Sequence, residues 1–119
     1  MMNDQPQYGL ETEEIHHTQK LDAPSGTSIT LAEGIIENIK GKKAWINQAS
    51  KAKSKVPIIS KRIEKVPGTH SINYQSAIDE IEIKHTAHSR AGFAGGAIQA
   101  AEWIIGKKGV FGMSDMLGF

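Results

Sequence analysis

The segment that most constrains this chain is Lys20-Leu21-Asp22-Ala23-Pro24-Ser25-Gly26, because it divides a pattern of period two from one of period three to four. Upstream, Tyr8 to His17 alternates Tyr8, Leu10 and Thr12 against Gly9, Glu11 and Glu13, then ends in Ile15-His16-His17. That alternation predicts a strand. Pro24 fixes its own φ and biases Ala23 away from helix, so residues 20–26 read as a turn. Downstream, Thr27 to Lys40 places Ile29, Ala32, Ile35, Ile36 and Ile39 on one helical face. Ser25 is positioned to cap that helix, since its hydroxyl can accept from first-turn N–H groups. Gly41 stands where helices commonly stop.

The rest of the chain alternates further strands and one more helix, without a repeat. Residues 42–55 hold five lysines among Ala, Ser, Asn and Gln, and predict a surface excursion. Such a segment is either a solvated loop or an attractor of anions. Residues 56–66, 69–75 and 80–87 read as strands, with Ser76–Asp79 turning the last two into a hairpin. In the last, Ile81, Ile83 and His85 share one face against Glu80, Glu82 and Lys84. Residues 93–105 predict a helix with Phe93, Ala97, Ala100, Ala101 and Ile104 on one side. The tail, residues 107–119, carries Val110, Phe111, Met113, Met116, Leu117 and Phe119, and so apolar a tail is expected to bury itself against something.

Composition narrows the function classes. At 119 residues the chain can bury one modest core but is short for a self-contained dinucleotide enzyme. Fourteen basic against thirteen acidic side chains give a net charge of +1, which argues against a nucleic-acid binder. With no cysteine there is no disulfide scaffold, thiolate metal site or cysteine nucleophile. No apolar run reaches membrane-spanning length and the first residues lack a signal-peptide pattern, so a cytoplasmic location is expected.

The polar residues concentrate between His16 and Thr27. At a strand end passing into a loop, His16 and His17 can both turn toward one pocket. A histidine titrates near neutrality and serves as a general acid, while Lys20 supplies a fixed cation. The Ser25-Gly26-Thr27 step offers backbone N–H groups at a helix N-terminus, where a carboxylate or phosphate is favoured, and Gly26 permits close approach. These residues describe a small-anion site with an acid beside it; the same residues could equally decorate a solvated turn. No HExxH occurs, and His85-x-x-His88 lacks a third ligand in a defined motif, so no metal is expected. His70 reads as a strand-end histidine bonded to backbone. Gly92-Phe93-Ala94-Gly95-Gly96 and Gly106-Lys107-Lys108-Gly109 fit neither GxGxxG nor a P-loop.

Glu14-Ile15-His16-His17-x-x-Lys20-x-Asp22-Ala23-Pro24-Ser25-Gly26-Thr27 resembles the signature of the dihydrodipicolinate reductases. Glu82-Ile83-x-His85-x-Ala87-x-Ser89-Arg90-x-x-Phe93-Ala94-x-Gly96-Ala97 and the ending Val110-Phe111-Gly112-Met113 are similar to that family's late strand, final helix and terminus. The resemblance spans nearly the whole chain and is weakest in the lysine-rich segment. It implies an α+β fold with a mixed, mainly antiparallel sheet of about four strands and helices on one face. It implies NADH- or NADPH-dependent reduction of a cyclic dicarboxylate imine on the way to diaminopimelate and lysine. By position, His16 and Lys20 are then catalytic, and His17, Lys20, Ser25, Gly26 and Thr27 bind substrate. Arg90 and Phe93 match positions near the cofactor domain. Residues 1–119 are expected to be the C-terminal substrate-binding and oligomerising domain of a tetramer. Residues 91–119 would pack on an N-terminal Rossmann domain that this chain lacks, and the chain alone should not bind the cofactor tightly. The other reading is a stand-alone dicarboxylate-binding or oligomerisation module without catalysis.

Overall fold

A computed structural model describes residues 1–119. After a short 3-10 turn at Met2–Asp4, the elements are β1 (Gly9–His16), α1 (Gly26–Asn38), β2 (Ala44–Ile46), β3 (Lys55–Arg62), β4 (Gly68–Gln75), β5 (Glu80–Ala87), α2 (Ala91–Trp103) and α3 (Met113–Leu117). They fall into two compact units, residues 1–88 and 89–119.

The first unit is a five-stranded sheet in the order β2-β3-β1-β4-β5, with α1 packed on β1, β2 and β3. The fold is therefore α+β, as expected, with one strand more than the expected four. The added strand, Ala44-Trp45-Ile46, lies inside the lysine-rich segment and pairs parallel with β3. Three residues are too few to show a period-two signal, and the flanking lysines hide them. The sheet is mixed and mainly antiparallel, as expected: β1 and β2 run parallel to β3 over short ladders, while β4 pairs antiparallel with both β1 and β5 over longer ones. The strand predicted over residues 56–66 ends at Arg62, because residues 63–67 turn the chain back, with Lys65 at a φ of 64°.

Register decides which side chains face α1. Leu10, Thr12, Glu14 and His16 of β1 share that face with Ile58, Ser60 and Arg62 of β3, with His70, Ile72 and Tyr74 of β4, and with Ile81, Ile83 and His85 of β5. Ala32 and Ile35 of α1 meet Val56 and Ile58 in a fully buried core, with Leu10, Leu31, Ile36, Ile39, Trp45 and Ile72 at its margin. The apolar core thus lies under the middle of α1. Toward the helix N-terminus the same face becomes polar, and the candidate site lies there.

In the second unit, α2 begins two residues earlier than its periodicity predicts, and the tail forms α3. Trp103 packs edge-to-face on Phe111 at 5.4 Å, and the Lys107 ammonium sits 4.4 Å from the Trp103 ring centre. The backbone N–H of Gly112 donates to Asp115 Oδ2 at 2.7 Å, fixing the start of α3. In the tail, Val110, Met113, Leu117 and Phe119 are all exposed. A segment of this length with one aromatic pair has no second layer of its own to cover these side chains.

Candidate functional site: a histidine cluster at a helix N-terminus

Glu14 anchors the site. Its side chain is completely buried on the α1 face of the central strand β1, where a lone carboxylate would be costly. Two partners offset that cost. The Arg62 guanidinium donates to Glu14 Oε1 at 3.0 Å, and the His16 ring donates from Nδ1 to Oε2. Burial alone would raise the Glu14 pKa, but hydrogen bonds from Ser60, Arg62 and His16 outweigh it and hold the carboxyl below its ordinary value. Glu14 is therefore ionised at neutral pH.

His16 sits at the end of β1, two residues along the same face, with its side chain 11% exposed. Because its Nδ1 is engaged by Glu14, its other nitrogen is the one free to meet a ligand. Its ring meets that of His70 edge-on at 5.0 Å between centres. His70 pairs across β4 with Glu14 in register. Burial first, and the nearness of His16 second, push the His70 pKa below the ordinary histidine value; Glu14 opposes this, while His85 and Lys20 add to it. His70 therefore stays neutral at pH 7. Its Nε2 lies 3.2 Å from Ser25 Oγ, so it bonds a side chain rather than the expected backbone group.

Ser25 is the N-cap of α1, as the sequence predicts, accepting from the Ser28 N–H at 3.2 Å and donating to Ser28 Oγ at 2.9 Å. The peptide bond between Ala23 and Pro24 is cis. The first-turn N–H groups of Gly26 and Thr27 have no acceptor within the helix. A Cβ on Gly26 would meet nothing within 4 Å, so the space beside the Gly26 Cα is open. Thr27 and His70 also border a cleft between α1 and the β4–β5 hairpin, shared with Leu31, Ile72, Ile83 and His85.

Lys20 stands in the loop between β1 and α1, its ammonium paired with Asp22 at 2.8 Å and its side chain only 23% exposed. The ammonium holds the Asp22 carboxyl below its usual pKa. His17 Nδ1 is buried without a hydrogen-bond partner, an unusual condition for a polar atom. Thus β1, the β1–α1 loop and the first turn of α1 carry all of His16, His17, Lys20, Ser25, Gly26 and Thr27. Arg90 and Phe93 lie instead in the second unit, Arg90 as the N-cap of α2 and Phe93 exposed on its first turn.

Three participants went unassigned on the sequence alone. Glu14 had a legible signal, since it continues the inward series Leu10 and Thr12, where an acid demands a cation. His70 and Arg62 had none, because only strand register brings them to Glu14. Glu14, His16 and His70 also offer ligand atoms within 4.8 Å of one another, a spacing that could hold a metal ion, but Arg62 and Ser25 already engage two of them. A dinucleotide fits less well. The strand-to-helix junction from His17 to Gly26 carries a single glycine and that from His88 to Gly92 likewise, so neither has the glycine-rich turn of a dinucleotide fingerprint.

Fold and site together define the class: an α+β domain presenting a histidine–lysine cluster beside a capped helix N-terminus. Residues 1–117 match the family described as dihydrodipicolinate reductase, C-terminus, and the chain belongs to that family. It is 52% identical over 118 residues to the 4-hydroxy-tetrahydrodipicolinate reductase of Christiangramia forsetii, covering 98% of this chain and 48% of that protein. It is 40% identical over 114 residues to the reductase of the same name from Methanosarcina mazei, covering 93% of this chain and 43% of that protein. Among solved structures, the dipicolinate-bound dihydrodipicolinate reductase from Paenisporosarcina sp. TG-14 superposes with a TM-score of 0.65 at 26% identity, over 90% of this chain and 44% of that one. The chain spans about half the length of the curated relatives it matches.

Proposed function

We propose that this chain is the substrate-binding and proton-donating part of an NAD(P)H-dependent 4-hydroxy-tetrahydrodipicolinate reductase in diaminopimelate and lysine biosynthesis. The observation that carries the proposal is the link from His16 through His70 to Ser25, which joins a proton donor to a helix N-terminus suited to a carboxylate. A cyclic dicarboxylate needs two anion clamps. The N–H groups of Gly26 and Thr27 with the Ser25 cap form one, and Lys20 with His17 forms the other, Lys20 exchanging Asp22 for the substrate carboxylate. His16 delivers a proton as the ring imine is reduced, its orientation held by Glu14. The chain offers no dinucleotide cradle, so NADH or NADPH binding is assigned to the remainder of a longer protein. Arg90 and Phe93, with the rest of residues 89–119, are assigned to the boundary with that cofactor part. The exposed apolar side chains of the tail are suited to being covered there, and the assembly is proposed to be a homo-tetramer in the cytoplasm.

The test is a calorimetric titration of dipicolinate, a planar dicarboxylate, into the full-length protein. The wild type should bind, and Lys20→Ala should weaken binding by about 10- to 100-fold, the weight of one charge-assisted hydrogen bond. Undiminished affinity in Lys20→Ala would remove the second clamp. Binding with no oxidation of NADH or NADPH in the presence of the imine would leave a binding module.

A further inference from the structure

Arg62 closes β3 and has no part in the roles assigned above. Besides the carbonyl of its neighbour Lys61, its guanidinium reaches three acceptors on two segments, β1 and the β1–α1 loop. Nη1 donates to Glu14 Oε1 at 3.0 Å, Nη2 to the Asp22 carbonyl at 2.6 Å, and Nε toward the Lys20 carbonyl at 3.4 Å. The first partner is the carboxylate that orients His16. The other two are backbone groups of the loop that carries Lys20. One planar, permanently charged fork thus touches both halves of the site.

We propose that Arg62 is a positioning residue that sets the His16 imidazole and the Lys20 loop in fixed relation to each other. Without its charge, Glu14 would be a buried acid with no permanent cation beside it, and a protonated Glu14 could no longer serve purely as acceptor for His16 Nδ1. Without its fork, the loop from Lys20 to Asp22 would lose two donors to its carbonyls. Lysine supplies the charge but not the fork, so the two functions separate by substitution.

The proposal rests on the reductase reading for its kinetic consequences and is independent of it for its spectroscopic one. In the full-length protein, Arg62→Lys should leave kcat near the wild-type value and raise KM about tenfold, through a loosened Lys20 loop. Arg62→Met should raise KM similarly and also lower kcat by about 10²-fold, the scale of a misplaced catalytic group. Nitrogen NMR of labelled histidine should show the neutral His16 ring protonated on Nδ1 in the wild type and in Arg62→Lys. That preference should be lost in Arg62→Met. Wild-type kcat and KM in both folded variants would overturn the proposal. So would an unchanged His16 tautomer in folded Arg62→Met. Should Arg62→Met not fold, the KM of Arg62→Lys decides. Should the wild-type protein lack reductase activity, the function proposed above fails, and the tautomer measurement still decides the role of Arg62.

Discussion

Gly26 shows what one residue at this site does, because fold and ligand make different demands on it. It begins α1 in ordinary helical backbone, and a methyl group there would project into open space. Gly26→Ala should therefore keep the fold or stabilise it by about 0.4–1 kcal/mol, since the unfolded chain loses freedom. The same methyl would occupy the room beside the Gly26 Cα and weaken dipicolinate binding about tenfold. Thermal melting and calorimetry on the one variant would check both halves; a stable variant with unchanged affinity would count against this anion clamp. Residues of this kind were legible in the sequence because their roles are local. His16, Lys20, Ser25 and Gly26 follow one another across a single strand–turn–helix passage, and the cap at Ser25 needs only its neighbour Ser28. Arg62 was not legible. It lies 48 residues from Glu14, and only the parallel register of β1 with β3 brings them together.

At the scale of elements, β4 ties the strand carrying His16 to the helix carrying the N-cap. His70 does this with a neutral ring, which gives the fold a pH dependence of known sign. Its folded pKa is depressed below 6.5, so beneath that pH the unfolded chain binds more protons than the folded one. Stability is then complete above pH 6.5 and falls as the pH drops toward the lower folded value. Glu14, held below 4.5, extends the fall at more acidic pH. Thermal melts at pH 7.5 and 5.5 should show a lower melting temperature at the acidic pH in the wild type and a smaller difference in His70→Gln. Equal differences would show that His70 is not the group responsible. The major elements were readable from periodicity, because the apolar stripe of α1 and the alternation in β1 and β5 are long enough to stand out. The short strand β2 was not, because pairing with β3 rather than its own composition makes Ala44-Trp45-Ile46 a strand.

At the scale of the molecule, the chain divides at Ser89 into a sheet unit with a packed core and a smaller helical unit in which Phe93, Ile98, Ile105, Val110, Leu117 and Phe119 stay exposed. Its curated relatives are about twice as long. The division of labour proposed here follows: these residues clamp a dicarboxylate and deliver a proton, and the hydride comes from elsewhere in the complete protein. The most direct measurement of that claim is the steady-state rate of NADH or NADPH oxidation by the full-length protein and by its His16→Gln variant, with 4-hydroxy-tetrahydrodipicolinate as substrate. A proton donor acts in the transition state, so kcat should fall by about 10²- to 10⁴-fold while KM changes little. An unchanged kcat in a folded His16→Gln protein would contradict the account.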